Sequence, residues 1–295
     1  VYVGVSEYQS DLDQYKNGVG YQPEKPSLIS TFQIMFQFNM PLAAGLLALL
    51  LSYDAISKER EKGTIELLLS YPVYRDEVIN GKTIASLFTV SLALLISFLV
   101  ASGYAIFSIG NLPTMAQFSR LSFIWISSVI YMAFFISLGT LFSTLFRSSW
   151  RSLIACIFIL LVFLATPFIA DQAADRIYTY ESDGGSNAVE RRAVAGGAPG
   201  EVRVIESDQD DSQQKREEIE SKRKKFKQTV SRLSPPTSYQ NFVQTMLGTN
   251  YRSDSESDPT LRDSLNSSIG YLFYLISQTV LMFTASYAVF MRQDL

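Results

Sequence analysis

Histidine is absent from this chain of 295 residues, and cysteine occurs only once, as Cys156. A single cysteine cannot form a disulfide within the chain or supply a thiolate cluster for a metal. Without histidine, the usual zinc sites and the Ser–His or Cys–His pairs of nucleophilic enzymes are also excluded. We therefore predict no catalytic residue, no metal site and no cofactor bound by this chain, and we disfavour a membrane enzyme.

Charge is also missing, but only locally. About 18% of the chain is Asp, Glu, Lys or Arg, yet five long apolar stretches contain none of these residues. About 20 helical residues cross the hydrocarbon core of a bilayer, and soluble cores rarely need five such helices. We predict an all-α polytopic membrane protein in a prokaryotic plasma membrane, surrounded by lipid and binding no nucleic acid. The five predicted spans are Thr31–Tyr53, Thr83–Ile109, Leu121–Phe146, Ser152–Ala170 and Ile269–Met291.

Lysine and arginine in the short loops predict the orientation. Five occur in Tyr53–Lys82 and two in Arg147–Arg151, against two in Val1–Ser30 and none in Gly110–Ser119. Basic short loops stay in the cytoplasm, so the first two segments and the C-terminal tail are expected inside. The N-terminus is then outside. Because the chain starts at Val1 without an apolar segment to carry it across, we expect a sixth, N-terminal span to be missing or cleaved.

These assignments divide the chain into four parts. Residues 1–30 are predicted as an outer loop, 31–170 as membrane helices with a cytoplasmic loop at 54–82, and 269–295 as the last span and tail. Residues 171–268 are predicted as an extracytoplasmic domain. Its first half, with Gly184-Gly185, is expected to be weakly ordered, followed by a short strand at Glu201–Glu206. A helix is predicted at Asp208–Leu233, stopped by Pro235-Pro236.

The first predicted span opens with three amides, Gln33, Gln37 and Asn39. Buried amides in membrane helices bind neighbouring helices more often than they line a substrate path, and both interpretations stay open here. Pro41 follows and is expected to kink this span.

Small residues recur every four positions in the second span, from Ala85 to Ala105. A ridge of this kind lets another helix approach closely, so we predict a packing surface.

The turn between the third and fourth spans carries Arg147, Trp150 and Arg151. Such residues are ordinary interfacial anchors, and they are also a candidate secondary contact for a cytoplasmic partner.

The loop from Asp54 to Lys82 is the most charged stretch beside the predicted membrane, with 11 charged residues out of 29. Asp54 or Ser57 is predicted to cap a short helix at Lys58–Lys62, which Gly63 interrupts. Thr64 is predicted to cap a second, amphipathic turn, whose stripe consists of Ile65, Leu68 and Leu69. The loop is therefore a compact polar surface that a soluble partner could grip.

The same loop resembles a known family. Glu59-Arg60-Glu61-Lys62-Gly63-Thr64, followed by Leu67-Leu68-Leu69, Pro72-Val73, Arg75 and Gly81-Lys82, resembles the signature of type-2 ATP-binding-cassette exporter permeases. The similar branch includes the nitrous-oxide-reductase maturation permeases. Phe290-x-Arg292-x-Asp294 resembles the residues that close such chains after the last span.

The resemblance implies a six-span permease subunit that pairs with a second permease subunit, identical or related. It also implies two nucleotide-binding ATPase subunits, which would hold the ATP and magnesium. The loop after the second span of such families forms a coupling helix seated in the ATPase. Carried over to this chain, the candidate ATPase-contacting residues are Asp54, Glu59, Arg60, Glu61, Gly63, Thr64, Leu68 and Arg75.

The charge pattern agrees with an external energy source. A charged residue at mid-membrane costs about 2.5–3.5 kcal/mol on insertion scales, and ion-coupled carriers bear that cost because they need the charge. The five apolar stretches contain no such residue, so the driving energy is expected to enter through the loop. An alternative keeps the ATPase but replaces transport with force transmission to an extracytoplasmic protein through Asp171–Ser268.

Overall fold

The structure is a computed structural model that describes residues 10, 13–17, 40–64, 74–109, 114–193, 206–248 and 260–292. Helices dominate these residues, and none of the described ranges contains a strand, in agreement with the predicted all-α class. The helices are α1 (Met40–Ser52), α2 (Ser57–Glu61), α3 (Arg75–Ile109), α4 (Met115–Leu145), α5 (Ser149–Ala193), α6 (Glu206–Leu233), α7 (Pro235–Leu247) and α8 (Leu261–Arg292).

Five helical segments in the described part of the chain are long and apolar enough to cross a membrane, which confirms the predicted polytopic fold. They are Met40–Glu61, Arg75–Tyr104, Met115–Leu145, Ser149–Ile177 and Leu261–Arg292. The first includes both α1 and α2, but the sequence of α2 is SKERE, so its apolar part is α1. We therefore treat α1 as the membrane helix and α2 as lying beyond its end.

The chain divides into two compact units. Unit 1 comprises Val1–Phe163 and Pro235–Leu295, and unit 2 comprises Leu164–Ser234. Helix α5 belongs to unit 1 as far as Phe163, and α7 belongs to unit 1 although it follows α6 in the sequence.

Helix α4 lies at the centre of unit 1. It is the most buried of the five candidate spans, and α1, α3, α7 and α8 all pack against it. Its middle carries an aromatic cluster in which Phe134 meets Phe135 and Phe163 edge to face, at ring-centroid distances of 5.1 and 5.8 Å. Tyr131 continues this cluster and stacks on Tyr239 of α7, with centroids 4.6 Å apart. Because α4 is central and buried, the helices that pack against its different parts are connected to one another through it.

Unit 2 is a helical hairpin made by the later part of α5 and by α6. Asp171 pairs with Lys227 at 2.8 Å, and Asp175 pairs with Arg223. A step of four residues forward on α5 thus corresponds to four residues backward on α6, so the two helices are antiparallel.

The segment after Asp171 departs from its prediction in one respect. The stretch with Gly184-Gly185 is helical as far as Ala193, because glycine costs a helix only about 1 kcal/mol relative to alanine and no proline follows Pro167 until Pro199. The pair Pro235-Pro236 ends α6 as predicted, but it also opens α7, where a missing N–H is tolerated. In the strand predicted at Glu201–Glu206, only Glu206 is described, and it begins α6.

Pro41 and the ridge of small residues belong to the first and second predicted spans. The described part of the first begins at Met40, so Pro41 occupies the first turn of α1, where proline is tolerated. A kink at Pro41 would involve the preceding residues, which lie outside the described part. On α3, the ridge residues Ala85, Thr89 and Ala93 are exposed, so this part of the ridge is not covered by the residues that the structure describes. The face of α3 that is buried instead carries Ile79, Thr83, Val90, Leu94 and Phe98.

Candidate functional site

Helix α2 begins with a cap supplied by another helix. Its N-cap residue is Ile56, whose side chain has no acceptor, and the backbone N–H groups of Ile56 and Ser57 both donate to Oγ of Ser143, at 2.8 and 2.9 Å. The cap predicted from Asp54 or Ser57 is therefore wrong. Ser143 lies near the end of α4 and is fully buried, so the start of α2 is fixed to α4 through its backbone.

A close crossing of α1 and α4 brings Ser143 within reach of α2. Gly139 lies one turn before Ser143 on α4, and a Cβ atom added to it would be 2.0 Å from Oγ of Ser52 and 3.0 Å from its Cβ. Only glycine leaves room for Ser52, which is the last residue of α1 and is also fully buried. The chain then turns through residues 53–56 directly into α2.

The end of α2 is held by the start of α5. The Glu61 carboxylate accepts hydrogen bonds from the backbone N–H of Ser149 at 3.0 Å and from its hydroxyl at 2.8 Å. These bonds, with a further one from the Ser148 side chain, lower the pKa of Glu61. The Ser57 and Ser149 hydroxyl oxygens are 3.2 Å apart, and Ser143 contacts Ser57 at the same distance. We call Ser57, Ser143 and Ser149 the serine cluster.

Arg60 also points towards the junction of α4 and α5. Its Nη1 donates to the carbonyl oxygen of Thr144 at 3.1 Å. Partial burial, followed by the charge of Arg147, lowers the pKa of Arg60. A guanidinium stays charged at physiological pH, so this bond to the end of α4 is charge-assisted.

Helix α3 holds α2 from another side. Lys82 Nζ lies 2.5 Å from Oε1 of Glu59 and also donates to the carbonyl oxygen of Ala55. Beneath this pair, Ile56 packs with Ile79 of α3 and Phe290 of α8 in a small buried cluster. Two separate parts of the family signature, around Glu59 and Phe290, therefore meet at one place.

The outer face of α2 is exposed and charged. Lys58, Glu61 and Lys62 are exposed, with Lys58 paired to Asp54 at 3.3 Å. Gly63 ends the helix with a φ of +67°, in the left-handed region where a side chain would be strained. Thr64 follows and donates through Oγ1 to the carbonyl oxygen of Glu59 at 3.3 Å.

The predicted site residues thus divide into three groups. Glu59, Arg60 and Glu61 bind other helices of the same chain, and Glu61 is also exposed, as are Gly63 and Thr64. The remaining described candidates lie around this surface. Asp54 and Arg75 are half-buried, and Arg147, Trp150 and Arg151 are exposed. The candidates Leu68, Gln33, Gln37 and Asn39 lie outside the described residues.

Sequence reasoning missed the residues that hold α2 in place. Ser143, Thr144 and Ser149 are 80 to 90 positions away from α2 in the chain, and small hydroxyl residues are common in its membrane helices. Lys82 is part of the sequence signature that resembles the family, but its ion pair with Glu59 of α2 was not predicted. No signal within the sequence marked the three hydroxyl residues, because only the close crossing of α1 and α4 brings them together.

Comparison with known proteins identifies the family of this chain. The chain matches the family described as ABC-2 family transporter protein over residues 5–295. It belongs to that family. The match and the five candidate spans together describe a multi-pass membrane protein of the ABC transporter class.

Two curated relatives of this ABC-2 family chain are both named "Probable ABC transporter permease protein NosY". The protein from Stutzerimonas stutzeri is 42% identical over 73 residues, and the one from Pseudomonas aeruginosa is 41% identical over 73 residues. Each alignment covers 25% of this chain and 25% of the relative. The aligned part of this chain thus spans about a quarter of the length of each relative.

Proposed function

We propose that this chain is the transmembrane permease subunit of an ABC exporter in a prokaryotic plasma membrane. In this proposal, ATP hydrolysis by partner subunits drives the movement of a substrate across the membrane. The chain pairs with a second permease subunit and binds no nucleotide itself, so ATP and magnesium reside on the partner. Helix α2 carries the proposal, because it combines an exposed charged surface with fixed attachments to three other helices.

The outer face of α2 is suited to a soluble partner. Lys58 and Glu61 are exposed on a helix of only five residues that lies just beyond an apolar span, and Lys62 is exposed directly after it. Its other side is occupied by Glu59 and Arg60, which bind α3 and the end of α4. A partner that displaces α2 therefore acts on several membrane helices at once, as transport driven from outside the membrane requires.

The test is a charge reversal on the exposed face only. Lys58→Glu/Lys62→Glu removes one exposed ion pair, to Asp54, which is worth at most about 1 kcal/mol, so the fold should survive. The native complex is purified from membranes, and the ATPase that accompanies it is quantified together with its hydrolysis rate. We expect the variant to insert normally and to lose most of the ATPase.

A matched control is Lys225→Glu, which reverses an exposed lysine in unit 2. This control should retain the ATPase. If Lys58→Glu/Lys62→Glu keeps a full complement of ATPase with unchanged hydrolysis, α2 is not the contact surface and the proposal fails.

The second candidate function is force transmission to an extracytoplasmic protein without transport. The ion-paired hairpin of unit 2 favours it, because Asp171–Lys227 and Asp175–Arg223 hold two antiparallel helices together and give a protein partner an ordered surface. Replacing residues 178–220 with a short Gly-Ser linker keeps these pairs and shortens the hairpin. If this function is correct, the change abolishes activity in cells and removes an outer protein from the complex. Loss of that protein with substrate export retained contradicts it.

A further inference from the structure

The serine cluster attaches α2 to the α4–α5 junction through backbone as well as side-chain groups. Two N–H groups at the start of α2 share the Ser143 hydroxyl, and the backbone N–H of Ser149 binds Glu61 at the end of α2. Backbone bonds at both ends define the position of the whole helix. The Ser57–Ser149 contact, at 3.2 Å, adds a third attachment between these two points.

Helix α4 connects this junction to other parts of unit 1. Towards its N-terminal half, Ser128 Oγ lies 2.7 Å from the hydroxyl of Tyr239 on α7. Tyr131 OH donates to the carbonyl oxygen of Pro41, at the start of α1, at 2.7 Å. Both contacts are buried, so α4 binds α2 near one end and binds α7 and the start of α1 through its other half.

The attachment of α2 to α3 is of a different kind. Lys82 and Glu59 form an ion pair between side chains that are 27% and 25% exposed, and long side chains can follow each other over several ångströms of movement. The Ser143 cap is fully buried and short, so it allows little relative movement of α2 and α4. Of the serine cluster and the Lys82–Glu59 ion pair, the serine cluster is therefore the stiffer.

We propose that Ser143 and Ser149 are positioning residues that make α2 and the α4–α5 junction move as one body. This inference rests on the proposed function, in which an ATPase displaces α2. The displacement then reaches α4 directly and, through Ser128 and Tyr131, reaches α7 and the start of α1. The displacement of α2 is not transmitted mainly through the backbone segments that join α2 to α1 and to α3.

A disulfide between α2 and α5 tests whether the two must separate during the ATPase cycle. Ser57→Cys/Ser149→Cys, combined with Cys156→Ser, replaces two hydroxyl oxygens that are 3.2 Å apart, which is close enough for an S–S bond of about 2.05 Å after a small side-chain rotation. The purified complex with its ATPase is treated with ATP and vanadate. Amide hydrogen exchange in Pro235–Leu247 is then compared with and without nucleotide. We expect the oxidised complex to hydrolyse ATP and to show a nucleotide-dependent change at least as large as that of the reduced complex.

Loss of the exchange response on oxidation, with recovery on reduction, would overturn the inference, since α2 and α5 would then have to separate. If the wild-type complex contains no ATPase, or shows no nucleotide-dependent change at all, the proposed function fails instead. The two failures are thus distinguishable.

A second test of the inference removes the hydroxyl groups of Ser143 and Ser149 and does not depend on a disulfide. Ser143→Ala/Ser149→Ala should keep the ATPase bound and active, because the exposed lysines of α2 are unchanged. The nucleotide-dependent exchange response in Pro235–Leu247 should fall about tenfold, the factor that corresponds to about 1.4 kcal/mol of lost coupling.

The matched control for this arm is Ser97→Ala, because Ser97 on α3 is exposed and, in the described part of the chain, donates to the Ala93 carbonyl of its own helix. It should respond like the wild type. Ser143→Ala/Ser149→Thr restores one hydroxyl and should recover part of the response, which a purely structural defect would not predict. A full response in the double alanine variant overturns the inference.

Discussion

Replacing Gly139 with alanine should break the close crossing of α1 and α4. The new methyl group would lie 2.0 Å from Ser52 Oγ, 3.0 Å from Ser52 Cβ and 3.3 Å from the Ser52 carbonyl carbon. The hydroxyl of Ser52 could rotate away, but its Cβ and backbone could not. The two helices must therefore move apart, and Ser143, one turn further along α4, moves away from the N–H groups of α2.

The expected loss in the free energy of unfolding follows from overpacking, which typically costs about 1–3 kcal/mol in a well-packed core. Gly103 and Gly270 provide matched controls, because an added Cβ meets nothing within 4 Å at either position. Alanine there should be neutral or should stabilise the helix by about 0.5–1 kcal/mol. The difference between Gly139→Ala and these controls is thus expected to be about 1–4 kcal/mol.

The assay is unfolding of the purified protein in mixed micelles with increasing SDS, followed by circular dichroism. Three variants should form an ordered series. Gly139→Ala is the least stable, Gly139→Ala/Ser52→Ala recovers partly because Oγ is gone, and Gly139→Ala/Ser52→Gly recovers most because Cβ is also gone. If Gly139→Ala unfolds at the same SDS fraction as Gly103→Ala, the crossing is not as close as described and the argument for Ser143 fails.

Three further predictions concern the attachments of α2, α4 and the hairpin. Glu59→Lys or Lys82→Glu alone should lower the free energy of unfolding in SDS, while the double swap should restore it, because the ion pair reforms with the opposite polarity. Tyr131→Phe should lower the free energy of unfolding by about 1 kcal/mol, since it removes one buried hydrogen bond, and SDS titration measures this. Asp171→Cys/Lys227→Cys should be joined in intact cells by a membrane-impermeant bifunctional thiol reagent that spans the length of the lost lysine side chain, detected by a gel shift; no cross-link would contradict the antiparallel register or the outer location.

Much of the fold follows from the sequence because apolar length decides which helices can span a membrane. All five predicted spans overlap helices of the structure, and the short helix predicted at Lys58–Lys62 occurs at Ser57–Glu61. The positions predicted for the helix ends were less accurate. Arg120 was placed between a loop and a span, yet it lies inside α4, buried, with Nη1 3.5 Å from the carbonyl oxygen of Met246 on α7. Charge marks the ends of apolar stretches, but a helix continues as long as its backbone and its neighbours allow.

The arrangement of the site could not be predicted in the same way. The sequence indicated the charged loop, but it did not indicate that Glu59 and Arg60 bind other parts of the chain while Lys58 and Lys62 remain exposed. That division depends on the crossing at Gly139 and on Ser143, which lies 86 residues from Ser57. Contacts over such separations arise from the packing of complete helices. A single sequence does not encode them in any local pattern.

The central claim is that the exposed face of α2 binds a nucleotide-hydrolysing partner. A photo-crosslinking amino acid placed at Lys62 in the full-length protein in its native membrane tests this most directly, with Lys225 as the matched position on unit 2. We expect Lys62 to cross-link to an ATPase subunit, identified by mass spectrometry, and Lys225 to give no such product. An ATPase cross-link from Lys225, or none from Lys62 in a complex that contains the ATPase, would contradict the account.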